Sequence, residues 1–308
     1  MKNNIETKIY GYSDFFNLFL NLDLNNKIPN KFIISGRKGI GKLTFAHHLI
    51  NYLLSKNEDS KYDKNNYEIN IKNRSFKLVS NNSHPNFYSI DTDEGKKNIG
   101  IDQIRKSFDF INRSSFNNKC RIILINNTEY LNNNSSNALL KILEEPNEKL
   151  IFILIHNSSF KILDTIKSRC LLFKKNFSEK ESISIFDKLS NYNFNNFFDD
   201  NLLSKFFSVG ELFLLKEFSD EIKFQEKISA ESILRYYFSN LKVKYDKKNT
   251  NLLLKLIQMY FYKKNLENFD EYDFSAYNSF FKKVSDAKKF NLDIENLYFE
   301  FQSKCLNE

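Results

Sequence analysis

The stretch that decides the fold of this chain is FIISGRKGIGKLT, residues 32–44. An apolar run, Phe32–Ile34, leads into a glycine-rich segment, Gly36–Lys42, which opens a helical pattern. This order is typical of a P-loop, in which backbone N–H groups and a helix N-terminus hold phosphate oxygens. Leu43 stands where the pattern has the Ser or Thr that binds Mg²⁺. Thr44 comes one residue late, which turns its hydroxyl about 100° around the helix.

Five residues of this segment are candidate nucleotide-binding residues: Gly36, Gly39, Gly41, Lys42 and Thr44. The glycines let the backbone turn tightly and approach phosphate groups. Lys42 adds a mobile positive charge to the ring of backbone N–H groups. The sequence leaves two interpretations open: the loop binds a nucleotide, or it is kept only for the geometry of the fold.

The second motif of a P-loop ATPase, Walker B, is degenerate here, since its strand ends on Asn126 and Asn127. ATPases place acids at such a position to bind Mg²⁺ and to organise the attacking water. An asparagine carries no charge and cannot act as a general base, and we expect Glu129 to face solvent. We therefore expect no meaningful ATP hydrolysis by this chain alone. His156 and Asn157 end a further strand, where a polar residue either senses the γ-phosphate or forms an ordinary turn.

An arginine precedes the last apolar strand, in the triplet Ser168, Arg169 and Cys170. From this position a ring ATPase presents an arginine finger to the ATP of its neighbour, where the finger contributes roughly 10³–10⁵ in rate. Arg169 is therefore the candidate catalytic residue, acting in trans, with Ser168 and Cys170 completing its motif. We expect Cys170 to be a small core residue, because no histidine is placed to activate it.

Continuous apolar runs alternate with helical patterns in the first half of the chain, which favours a parallel sheet covered by helices on both faces. The predicted strands are Phe32–Ile34, Phe87–Ile90, Ile122–Ile125, Ile151–Ile155 and Leu171–Phe173. The sequence predicts an α/β P-loop domain over residues 1–175, a small helical lid over 176–220 and an all-α C-terminal domain over 221–308. Residues 55–83 are polar and weakly periodic, which predicts a partly mobile surface insertion.

The 308 residues carry a net charge of +8 and three widely separated cysteines. The positive charge suits a phosphate-bearing partner, although heavy lysine usage alone produces such a balance. The cysteine spacing argues against a disulfide framework and against a C-x-x-C site. No signal-like apolar region begins the chain and no apolar run has the length of a membrane span, so we expect a cytoplasmic protein with no membrane partner.

Three segments, residues 101–105, 134–146 and 168–170, together resemble the delta-prime family of bacterial DNA polymerase III clamp-loader subunits, which are AAA+ proteins. The resemblance is good over residues 5–175 and weak beyond. It implies an AAA+ fold and a non-catalytic subunit whose Arg169 finger enters the ATP site of a neighbouring gamma (or tau) subunit. That neighbour binds ATP and Mg²⁺, and this chain requires no cofactor.

The resemblance also implies partners: the gamma/tau and delta subunits, the sliding clamp, and primer-template DNA as part of the complex. The C-terminal helices then form the oligomerisation collar. Two departures from the family weaken any ATPase activity or metal site. Residues 55–83 contain none of the four cysteines of the zinc module found in many relatives, so we expect no metal. Glu211 stands where catalytic relatives have a second sensor arginine.

Two other classes of function remain open from the sequence. An active P-loop ATPase of DNA replication or repair, or a phosphoryl-transfer kinase, is suggested by Lys42 with Thr44 nearby. A nucleic-acid-binding module acting by charge is suggested by the +8 balance, and its affinity would depend steeply on salt. Candidate DNA contacts are the helix start at Asn134–Lys141 and the side chain of Arg105.

Overall fold

The computed structural model describes residues 5–93, 96, 98–112, 120–145, 149–199, 207–221, 227–239, 250–267, 271–290 and 292–306. The chain divides into two compact units, Met1–Phe177 and Ser178–Glu308. The division lies two residues beyond the predicted end of the P-loop domain.

A parallel sheet forms the centre of the first unit. Its strands are β1 (Lys31–Gly36), β2 (Phe87–Ile90), β3 (Arg121–Ile125), β4 (Leu150–Asn157) and β5 (Leu171–Lys174). They lie in the order β2-β3-β4-β1-β5, and all pair in parallel. Every residue of β3 and β4 is buried, which is the pattern of strands covered on both faces. The five predicted strands are confirmed, and the strand that leads into the phosphate loop lies second from the edge.

Helices cover both faces of this sheet. They are α1 (Ser13–Leu24), α2 (Lys42–Leu54), α3 (Arg74–Ser80), α4 (Ile101–Asn112), α5 (Asn133–Glu144) and the short α6 (Asp164–Lys167). On one face, Phe32 packs against Phe19 of α1, with ring centroids 5.2 Å apart. Its neighbour Ile33 lies in a separate cluster with Ile104 of α4 and Leu139 of α5. Adjacent strand residues point to opposite faces, so these contacts define the two layers.

The C-terminal end of α5 is anchored to the sheet. Lys31, the first residue of β1, donates from Nζ to the Leu143 carbonyl oxygen at 2.5 Å. This bond satisfies one of the carbonyl groups that a helix leaves without an internal partner at its end. The helix ends at Glu144. Pro146, which the sequence predicts to stop this helix, lies outside the described residues.

Residues 55–83 contain more structure than the sequence predicts. They include α3, which Asn73 caps by accepting a backbone N–H of the first turn at 2.7 Å. The Glu58 carboxylate accepts the backbone N–H and the hydroxyl of Ser75, and that hydroxyl also shares a hydrogen bond of 3.2 Å with His84 Nε2. Buried apolar residues, Tyr62, Ile69 and Val79, also hold this segment, but they are too far apart in the sequence to give a helical or strand period.

The described residues of the second unit form helices joined by short non-helical segments, with one isolated β-bridge between Phe198 and Ile228. Its helices are α7 (Glu179–Ser190), α8 (Phe194–Phe197), α9 (Val209–Glu221), α10 (Ala230–Ser239), α11 (Thr250–Glu267), α12 (Glu271–Phe290) and α13 (Glu295–Phe301), the last followed by a π-helical turn, Gln302–Leu306. Ser178 caps α7 in a capping box with Glu181. Glu211 of α9 forms an ion pair of 2.6 Å with Lys255 of α11. The predicted lid, which ends at residue 220, and the predicted C-terminal domain are therefore in contact. The division into lid and collar stays a prediction.

Candidate functional site

The predicted phosphate loop connects β1 to α2 through two glycines in the left-handed conformation. Gly39 and Gly41 have φ angles of 81° and 82°, a left-handed conformation that glycine adopts without steric cost. A Cβ atom on Gly36 would collide with the Lys175 carbonyl oxygen and would lie 2.5 Å from Cδ1 of Ile40. The backbone itself therefore favours glycine at all three positions, whether or not a ligand is bound.

Lys42 turns back onto its own loop. Its ammonium group donates to the carbonyl oxygens of Gly36 at 2.8 Å and Arg37 at 2.7 Å, and the residue is only 7% exposed. Burial lowers the pKa of Lys42 to about 8, while the nearby Glu129 carboxylate acts in the opposite direction. The lysine is thus mainly protonated at pH 7. The loop carbonyl groups bind its positive charge, which a phosphate group would also attract. Thr44 is half-buried in the first turn of α2.

The two asparagines at the end of β3 bond to an acid that the sequence analysis missed. Asn126 donates from Nδ2 to one carboxylate oxygen of Asp91 at 2.8 Å, and Asn127 donates to the other at 2.9 Å. Asp91 directly follows β2, the strand beside β3. The carboxyl ends of neighbouring parallel strands meet at one edge of a sheet. The position of Asp91 directly after a predicted strand is therefore the sequence feature that indicates its place at this site.

Glu129 does not face away from the site, so the expectation that it faces solvent is wrong. The residue is half-buried, and its carboxylate accepts the backbone N–H of Asn157 at 3.1 Å. It also lies close enough to Lys42 and His156 to influence the pKa of both. A carboxylate therefore lies beside the phosphate loop, although it follows the degenerate Walker B motif and does not belong to it.

His156 is buried at the end of β4, with 3% of its surface exposed. Its Nδ1 shares a hydrogen bond of 3.2 Å with the hydroxyl of Ser35, whereas Nε2 is buried without a partner among the described residues. Burial lowers the pKa of His156; Glu129 raises it and Lys42 lowers it further. A neutral imidazole at pH 7 follows from these effects.

Arg169 lies at the surface, held by its own chain. Its Nε and Nη2 atoms donate to Oε1 of Glu144 at 3.1 and 2.6 Å. Its Nη1 atom donates to the Thr165 carbonyl oxygen at 2.9 Å and to the Ser168 hydroxyl at 3.2 Å. The side chain remains 33% exposed. Among the described residues, the guanidinium therefore has no hydrogen bond in the core and none with the Lys42 site.

Cys170 is buried next to this arginine. Burial raises the pKa of its thiol to about 11, although the positive charges of Lys31 and Arg169 oppose that shift. The thiol is therefore protonated at neutral pH, and a protonated thiol is a poor nucleophile. Its place in the apolar cluster under α5 agrees with the role of a small core residue.

The residues predicted from the sequence thus form separate groups. Lys42 interacts electrostatically with Glu129 and His156. The asparagine pair bonds to Asp91, and Arg169 bonds to α5 and α6. Within the part of the chain that the structure describes, no group of three or more His, Cys, Asp or Glu residues is arranged to hold a metal ion. The described helices include none that is both long and apolar enough to cross a bilayer.

Sequence comparison identifies the class of protein that this P-loop fold and degenerate site belong to. A sequence profile described as "DNA polymerase III, delta subunit" matches residues 12–178, more than half of the chain. The chain belongs to this family.

The individual relatives are named as subunits of the same polymerase. The DNA polymerase III subunit delta' of Pseudomonas aeruginosa is 29% identical over 46% of this chain and 41% of its own length. That of Buchnera aphidicola subsp. Baizongia pistaciae is 26% identical over 75% of this chain and 66% of its own length. The chain thus spans less than two thirds of each of these relatives. A solved DNA polymerase III gamma subunit-related protein of Thermotoga maritima aligns with 92% of this chain and 98% of its own, at 19% identity and a TM-score of 0.47.

Proposed function

We propose that this chain is a non-catalytic subunit of the bacterial DNA polymerase III clamp loader. In this role it helps to load the sliding clamp onto primed DNA. It assembles with gamma (or tau) and delta subunits, lends Arg169 to the ATP site of a neighbouring subunit, and uses its C-terminal helices as an oligomerisation collar. ATP and Mg²⁺ are bound by that neighbour.

The observation that carries this proposal is the hydrogen-bonding of Asn126 and Asn127. Both amides donate to the Asp91 carboxylate, so the two Walker B positions hold uncharged donors where an ATPase has a carboxylate for Mg²⁺ and water. Leu43 supplies no hydroxyl for the metal. The chain therefore retains the backbone of a P-loop without the groups that cleave a phosphate bond.

Arg169 supports the second part of the proposal. Its guanidinium is at the surface, and the hydrogen bonds that hold it come from a partly exposed ion pair and two groups of the same turn. A side chain placed in this way is accessible to a neighbouring subunit. The planar guanidinium can also donate two parallel bonds to phosphate oxygens.

A second candidate function, an ATPase active on its own, is favoured by one observation. Glu129 lies near Lys42 and His156, so a carboxylate is available on the phosphate-loop side. This carboxylate already accepts the Asn157 N–H, and the metal-binding hydroxyl at residue 43 is still missing. We therefore prefer the non-catalytic role.

A reconstitution experiment tests the assembly and the clamp-loading role together. We expect the purified chain to form a complex with the gamma and delta subunits of the same organism, and this complex to load the clamp onto primed DNA much faster than gamma and delta alone. Because the chain is proposed to hold the assembly together as well as to lend Arg169 to a neighbour, leaving it out should lower loading even at saturating ATP. The control adds an equal amount of an unrelated basic protein. Failure to bind either subunit, or equal loading without the chain, would contradict the proposal.

A further inference from the structure

The contacts of Arg169 occupy almost all of its donors. A guanidinium has five N–H groups, and four of them donate to Glu144, Thr165 and Ser168. Glu144 takes the whole edge formed by Nε and Nη2. This edge is one of those with which an arginine grips two phosphate oxygens. Arg169 therefore cannot bind a phosphate through that edge until Glu144 releases it.

Glu144 occupies an unfavourable place for an acid. It is the last residue of α5, where the partial negative charge of the helix C-terminus disfavours a carboxylate. The same helix end is fixed to the sheet by Lys31, so the backbone that carries the Glu144 side chain is anchored. Its two bonds to Arg169 offset the unfavourable charge and fix the direction of the guanidinium.

This ion pair is weak enough to exchange. The side chains are 33% exposed for Arg169 and 57% exposed for Glu144. Exposed ion pairs of this kind change an equilibrium by up to about fivefold. A nucleoside triphosphate carries several negative charges and can replace the carboxylate on the same edge, so the arginine has two alternative partners of comparable geometry.

We propose that Glu144 is a positioning residue that holds Arg169 against α6 in the free chain and yields it to the triphosphate bound by the neighbouring subunit. This inference rests on the proposed function. It adds that Arg169 exchanges the Glu144 carboxylate for a phosphate group when it enters the neighbouring site. The carboxylate and ATP therefore compete for the guanidinium.

The test measures ATP hydrolysis by the complete complex with gamma and delta, on primed DNA, for a Glu144→Gln variant. Glutamine keeps the shape of the side chain but removes the competing charge. We expect kcat/KM for ATP to rise about two- to fivefold, through a lower KM with unchanged kcat. The matched control is Glu145→Gln, which removes the same charge from the next residue. Glu145 is also exposed, and its side chain is not among the described contacts of Arg169.

A double variant shows whether Glu144 acts through the arginine. In an Arg169→Ala background, the Glu144→Gln change should have no further effect, because no guanidinium remains to be released. The proposal is overturned if Glu144→Gln alone leaves kcat/KM unchanged or lowers it, if Glu145→Gln raises it equally, or if the increase persists without Arg169. These results leave the finger itself intact, whereas full activity of Arg169→Ala would reject the proposed function instead.

Discussion

Replacing Arg169 with alanine is expected to lower DNA-stimulated ATP hydrolysis by roughly 10³–10⁵-fold at the neighbouring ATP site to which we propose that it contributes. The reason is electrostatic. Charge spreads over the oxygens of the transferring phosphoryl group, and a guanidinium from the next subunit stabilises it without contributing to that subunit's own fold. The measurement is single-turnover hydrolysis by the reconstituted complex, with the assembly of each variant checked by size-exclusion chromatography.

Two further variants make this result specific. Arg169→Lys keeps the charge but loses the planar fork, so we expect only partial activity. Lys167→Ala removes an exposed cation two residues away on α6 and should leave the rate close to that of the wild type. If Lys167→Ala and Arg169→Ala reduced the rate equally, the effect would be one of local positive charge, and the finger would be ruled out.

Adding a single methyl group at Gly36 is expected to destabilise the first unit by about 1–3 kcal/mol, the usual cost of overpacking a filled site. The methyl group would collide with the backbone carbonyl of Lys175, which cannot move aside as a flexible side chain can. Thermal unfolding of Gly36→Ala should therefore show a midpoint several degrees below that of the wild type.

The matched control for this change is Gly100→Ala. The nearest atom to a Cβ at Gly100 is Oε1 of Gln103, 4.0 Å away, so the same methyl group makes only an ordinary van der Waals contact there. We expect almost no change in the midpoint. Equal midpoints for Gly36→Ala and the wild type would show that the loop is looser than the close approach of β1 to Lys175 indicates.

The strands were predictable because each is a continuous apolar run ended by polar residues. Since both faces of a parallel sheet are covered, the runs from Phe32, Ile122 and Ile151 need no alternation to be recognised. The phosphate loop was equally accessible, because Gly39 and Gly41 meet the local need for positive φ angles. Both features depend on residues that are neighbours in the chain.

The contacts in the rest of the site were not predicted, because they join residues that are distant in the chain. Asp91 meets Asn126 only through the order of strands in the sheet. Glu129 returns to the site because Asn127 adopts a left-handed conformation, with φ 53°, and a short 3-10 turn, Thr128–Tyr130, follows it. The ion pair of Arg169 with Glu144 joins residues 25 positions apart. No periodicity in the sequence encodes such contacts.

The most direct measurement of the central claim is ATP hydrolysis by this chain alone, by the neighbouring ATPase subunit alone, and by their mixture with delta on primed DNA. We expect no turnover above the blank for this chain, and a rate for the mixture that exceeds the sum of the separate rates and depends on Arg169. Turnover of Mg-ATP by the isolated chain, lost in a Lys42→Ala variant, would contradict the central claim.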